Sequence, residues 1–133
     1  MRALAALMLL AGPAAGADTL DCADPQTQTD MNVCAHLAFQ IADEDLNAAY
    51  AVAIDQAKRI DGFAAEGGMV RPATTEETLR TAQRAWIVYR DSACSVESDL
   101  ALGGSMAPML YAGCREALTL ERTEHLRYFG ELK

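Results

Sequence analysis

"QRAWIVYRDSAC" (residues 83–94) sets a tryptophan, a tyrosine, an arginine, an aspartate and a cysteine close together. Arg90 and Asp91 invite a reading as a reactive pair. Helical periodicity favours another reading, in which the stretch is one face of a helix that carries charges. Leu79, Ala82, Trp86, Tyr89 and Ala93 recur at helical spacing and predict an inward apolar stripe. At about 100° per residue, Gln83 and Arg90 fall just off that stripe, whereas Asp91 points well away toward solvent. Thr74 with Glu77, or Thr75 alone, supplies a cap at the start of this helix, and it runs to roughly Glu97.

The same period extends on both sides. Upstream, T-Q-T-D from Thr27 is a capping-box-like start after Pro25. Met31, Ala35, Ala38, Phe39, Ala42, Leu46, Ala49, Tyr50, Ala53, Ala57 and Ile60 then fall on one stripe. Gly62 is expected to end that helix, and residues 62–75, with three glycines and a proline, read as a loop. Downstream, "LGGSMAP" (102–108) interrupts the pattern. Ser105 is a suitable N-cap and Pro108 suits a first helical turn. The third helix is expected to run to Tyr128 or Phe129, with Tyr111, Cys114, Leu118, His125 and Phe129 on its face. No strand pattern, repeat or low-complexity tract stands out. The fold expected is all-α: a disulfide-stapled bundle of three long helices, up-down-up.

The chain opens MRALAALMLLAGPAAGA, with one early arginine, an apolar run and a small-x-small pattern at Ala15-Gly16-Ala17. That pattern predicts a signal peptide over residues 1–17 and a single domain over 18–133. The apolar run is too short for a membrane anchor, and no lipoprotein-type cysteine follows the cut. Removing Arg2 makes the formal net charge of −8 one unit more negative. Such an acidic domain does not suit nucleic acid or an anionic membrane; it suits a cationic partner or plain solubility.

Four cysteines, Cys22, Cys34, Cys94 and Cys114, lie after the signal segment. An even count in an exported chain argues for two disulfides, with three possible connectivities. The local pairing, Cys22–Cys34 with Cys94–Cys114, closes loops of modest length, each stabilising by ~3 kcal/mol. There is no C-x-x-C redox motif and no C-x-x-C-H. Cys34 and His36 match no usual zinc spacing, so neither a metal nor any other cofactor is expected.

Each helix also aims polar residues at the edge of its stripe: Asp43, Asn47 and Tyr50 on the first, Gln83 and Arg90 on the second, Arg122 on the third. These predict a polar core layer in which Asp43 pairs with Arg90, Arg122 or both, and Asn47, Gln83 and Tyr50 complete the hydrogen bonding. Such a layer fixes helix register. A catalytic carboxylate is the other reading, but one engaged by arginines is a poor general acid. Ser92, Ser95, Ser98 and Ser105 lack a G-x-S-x-G context, and no phosphate-binding or dinucleotide fingerprint exists. Glu76-Glu77 reads as a solvated helix start. No catalytic residue is expected.

Taken together, "DCADPQTQTDMNVCAHLAFQIADEDLNAAY" (21–50), "AQRAWIVYRDSAC" (82–94) and "GGSMAPMLYAGCREALTLERTEHL" (103–126) resemble, in order, the motifs of the lysozyme inhibitor LprI-like family. The resemblance implies a small exported helical domain with all four cysteines in disulfides. Asp43, Leu46, Asn47, Tyr50, Gln83, Trp86, Arg90, Thr119 and Arg122 fall on motif positions. It further implies a non-enzymatic, periplasmic or secreted inhibitor or binding protein of lysozyme. An acidic domain is steered toward a cationic lysozyme and would occlude its cleft. Leu102 with Gly103, Gly104, Ser105 and Met106 is the candidate partner-binding loop. The alternative is a periplasmic adaptor or stress-related binding module that never meets lysozyme.

Overall fold

A computed structural model describes residues 20–132, so the proposed signal segment lies outside the described residues. The order is α1 (Gln28–Glu66), α2 (Thr75–Ser98), a single 3-10 turn over Asp99–Ala101, and α3 (Ala107–Glu131). The helices run up, down and up, so α1 and α3 are parallel and α2 is antiparallel to both. Cys22–Cys34 pins the N-terminal segment to the first turns of α1, and Cys94–Cys114 links α2 to α3.

The two long starts are chemically defined. The Thr27 side chain accepts from the Asp30 N–H at 3.1 Å, and the Asp30 carboxylate accepts from the Thr27 N–H at 3.0 Å. Thr74 and Glu77 repeat the exchange at 3.1 and 2.9 Å on α2. Each box satisfies N–H groups that a helix start otherwise leaves without partners.

α1 does not stop at Gly62. It continues to Glu66, because Ala64 is buried beyond the glycine, and a single exposed glycine costs a helix only about 1 kcal/mol. The stop comes at Gly67-Gly68. Gly68 is left-handed at φ 68°; its N–H bonds the Ala65 carbonyl at 3.0 Å and the Met69 N–H bonds the Ala64 carbonyl at 2.8 Å. That is a Schellman closure, and its left-handed position favours glycine. Asp61, one residue before Gly62, reaches the start of α2. There its carboxylate accepts from the backbone N–H groups of Thr75 (2.7 Å) and Glu76 (3.0 Å) and from Arg71. Burial opposes its ionisation, but these donors outweigh burial and hold the Asp61 carboxyl well below the usual carboxylate range.

The core lies between the parallel helices, where most interhelical contacts fall. α1 buries Phe39, Ala42, Leu46, Ala49, Ala53 and Ala57, and α3 buries Ala112, Thr119, Thr123, Leu126 and Gly130. Small residues let the backbones approach. A Cβ on Gly130 would sit 3.0 Å from Val52 Cγ1 and 3.4 Å from the Ala53 nitrogen. The third helix therefore turns a different face inward from the one its large side chains suggest. Of that expected face, Tyr111, Cys114, Leu118 and Phe129 are half-buried and His125 is exposed.

α2 departs further from expectation. It buries only Gln83, Arg90 and Cys94, with Leu79 and Trp86 packed part-way against the core. Ala82 is exposed and Tyr89 is 61% exposed. At 100° per residue the inward line is rotated roughly 60° from the apolar stripe. The rotation brings Arg90 and Gln83 to polar partners and Cys94 to Cys114; Tyr89 is turned out as a consequence.

Ser105 does not cap α3. Met106 holds the cap position, with no side-chain hydrogen bond, and the helix opens with a proline in its first turn.

Candidate functional site: a polar seam and an exposed loop end

Arg90 is the centre of the seam between α2 and the parallel pair. It is 4% exposed. Its Nη1 donates to Asp43 Oδ1 at 3.1 Å and to the Thr119 hydroxyl at 3.3 Å, and its Nε donates to Asp91 Oδ1 at 2.9 Å. Its guanidinium also stacks on Trp86 and Phe39, at 5.1 and 5.2 Å from the ring centroids. Arg115 of α3 lies 3.7 Å from the Phe39 centroid, and its Nε is 3.3 Å from Asp91 Oδ1. Two arginines thus flank one phenylalanine and share one aspartate. Planar guanidinium groups suit this stacking and forked bonding.

The expected layer is split in two. Arg122 does not reach Asp43. It sits one turn further along α3 than Thr119, and its Nε donates to Gln83 Oε1 at 3.0 Å. Tyr50 is half-buried and packs against the cluster of Leu46, Ala49, Ala53 and Leu126. Asn47 is exposed; four residues past Asp43 it has turned about 40° further from the seam, so it takes no part in the buried layer. Asp91 is not directed to solvent alone. The rotation of α2 swings it back onto Arg90 and Arg115, an arrangement the apolar stripe gave no reason to expect. Arg115 and Asp61 carried no readable signal, since their roles depend on which helix ends meet.

Every carboxylate in this seam is bound to arginine, and arginine gives up no proton near neutral pH. The His36 and Phe39 rings are tilted with centroids 6.4 Å apart, and His125 is exposed on α3. Among the described residues no group of three His, Cys, Asp or Glu side chains is placed to hold a metal. The seam's geometry is suited to attaching α2.

The other feature is the turn-built end between α2 and α3. The Leu102 N–H bonds the Asp99 carbonyl (2.9 Å), the Gly104 N–H the Ala101 carbonyl (2.8 Å), and the Ala107 N–H the Gly104 carbonyl (3.0 Å). Leu102 and Gly103 are left-handed, at φ 49° and 73°. A side chain on Gly104 would press on the Ala101 carbonyl at 3.0 Å. The Asn32 side chain of α1 donates to the Ser105 carbonyl at 3.0 Å, docking the loop on the first helix. The loop is therefore a formed turn, and it holds its apolar groups outward: Leu100 is 78% exposed, Leu102 94% and Met106 41%. Glu97 and Asp99 beside it are also exposed.

Residues 21–126 match the model of the family described as lysozyme inhibitor LprI. The chain belongs to the LprI lysozyme inhibitor family. The match spans the first disulfide, the seam and the loop end. An uncharacterized protein of Rhizobium meliloti (strain 1021) is 39% identical over 113 residues, covering 84% of this chain and 79% of that protein. A crystal structure of a DUF1311 family protein from Pseudomonas putida KT2440 superposes with a TM-score of 0.66 at 24% identity. It covers 80% of this chain and 97% of its own, and shows that the helical fold is shared.

Proposed function

We propose that this LprI-family chain is an exported, non-enzymatic inhibitor of lysozyme that occludes the cleft of a cationic lysozyme with its Asp99–Met106 end. One observation carries the reading: Leu100 and Leu102, 78% and 94% exposed, stand on a hydrogen-bonded turn at the end of an acidic domain. A hydrogen-bonded turn presents the leucines on a backbone already ordered, so less backbone entropy is lost on binding. The excess of acidic residues steers the approach to a basic enzyme. Gly103 and Gly104 permit the turn, and Ser105 and Met106 complete the surface next to α1. The Cys94–Cys114 bridge fixes the two helix ends that carry the loop. Two disulfides favour an oxidising compartment, periplasmic or secreted, and fit removal of residues 1–17 as a signal peptide.

The experiment is a titration of purified protein into lysis assays with several lysozyme types, at low and high ionic strength. Inhibition at micromolar protein, with association slowed by salt, is expected. Absence of inhibition for every lysozyme type rejects the reading.

A further inference from the structure

A second surface lies at the opposite end of the bundle, where the first turns of α2 diverge from the last turns of α3. A cavity of about 460 Å³ opens there. Its walls are Leu79 and Ala82 of α2 and Leu126 and Phe129 of α3. Its charged lining is Arg71 and Arg122, with His125 beside them and no aspartate or glutamate. That bias is notable in a chain with 19 acidic and 11 basic residues. Arg71 is engaged by Asp61, but Arg122 has only the neutral amide of Gln83 as a hydrogen-bond partner among the described residues. No carboxylate among the described residues lies within ion-pair distance of Arg122. Burial lowers its pKa from the ordinary arginine value, with Tyr50 acting in the other direction, and the guanidinium still remains cationic at physiological pH.

We propose that this groove is a binding site for a small amphipathic carboxylate, with the acid on the Arg122 guanidinium and an apolar body between Leu79, Ala82, Leu126 and Phe129. The volume lies in the range of small-molecule sites, and apolar walls with one convergent charge are their usual make-up. A carboxylate matches the planar fork of arginine and supplies the charge that Gln83 does not. The groove is distant from Asp99–Met106, so this site stands or falls independently of lysozyme inhibition.

The test uses the full mature protein with decanoate as probe, and decanol, decyltrimethylammonium and acetate as controls. Binding is followed by calorimetry and by amide chemical-shift mapping. Decanoate is expected to shift resonances of Ala82, Arg122 and Phe129 and to bind more tightly than all three controls. Arg122→Gln is expected to weaken decanoate about tenfold or more, the worth of one charge-assisted contact. Because Arg122 also touches Gln83, a second variant guards against misfolding. Ala82→Trp, at an exposed position, fills the groove; it is expected to abolish decanoate binding while circular dichroism and lysozyme inhibition stay as in the wild type. Decanoate binding no tighter than decanol or the cationic amphiphile overturns the proposal, as does unchanged affinity in a folded Ala82→Trp variant. Self-association through the groove, seen as a concentration-dependent sedimentation shift that Ala82→Trp removes, overturns it in favour of a second copy as the occupant.

Discussion

The two seams of this bundle are built on different chemistry. α1 and α3 meet through alanines, threonines, leucines and a glycine, close enough that a Cβ on Gly130 would press on Val52. α2 joins that pair through Gln83, Arg90 and Cys94, a neutral amide, a guanidinium and a disulfide. The first seam is held by burial and close packing, which act without direction. The second is held by directed contacts, which set how α2 is rotated and leave Tyr89 and Val96 outside. Gln83 and Arg90, two of the motif residues, serve to attach α2, and under the proposed function the exposed loop end is the recognition surface.

The largest way to break this comparison is Leu46→Ala, which opens a cavity in the parallel seam. We expect a loss of about 3 to 4 kcal/mol in denaturant unfolding. Replacing Cys94 and Cys114 by serine should cost about 3 kcal/mol through the freed loop. Hydrogen exchange should rise along α2 while the α1–α3 core stays protected. Uniform loss of protection across all three helices would mean that α2 belongs to the core after all.

Arg90→Met sharpens the comparison further. Asp43 and Asp91 are 38% and 40% exposed, so water can take over both carboxylates when the guanidinium is removed. A loss of about 1 kcal/mol or less is expected, with methionine recovering contacts on Phe39 and Trp86. Wild-type stability should also depend on Asp61. Its folded-state pKa is depressed, so its contribution is present above the ordinary carboxylate range and lost as pH falls through that range toward the lower folded value. Asp61→Asn should remove that acid-side dependence and increase fraying at the start of α2, read by amide exchange across pH 2–7. The smallest effect is expected for Tyr89→Ser. If α2 is rotated as described, stability changes by no more than about 0.5 kcal/mol; a loss of several kcal/mol would restore Tyr89 to the core.

The uneven legibility of the sequence follows from the same contrast. The α1 stripe was readable because most of its buried residues are apolar and one period apart, from Phe39 through Leu46 to Ala57; buried Gln56 is the polar exception. Both capping boxes were readable because they are local. The inward line of α2 was hidden, since its buried members are polar and the apolar periodicity pointed some 60° away. The Asp91 contact follows from where α2 settles, and Asn47 faces solvent because it sits further round α1 than Asp43. Thr119 and Thr123 are fully buried, yet nothing in α3's own pattern singles them out from its larger apolar residues. Gly62 was misleading because a glycine inside a helix is affordable when burial continues past it. Ser105 was misleading because its loop is closed by backbone turns and by Asn32.

The division between attachment and recognition is tested most directly by one double variant, Leu100→Ser with Leu102→Ser, titrated against a lysozyme that the wild-type protein inhibits. Both side chains are solvent-exposed, so thermal stability should be unchanged and inhibition lost. A folded variant that inhibits as well as the wild type would contradict the account and move recognition away from the loop end.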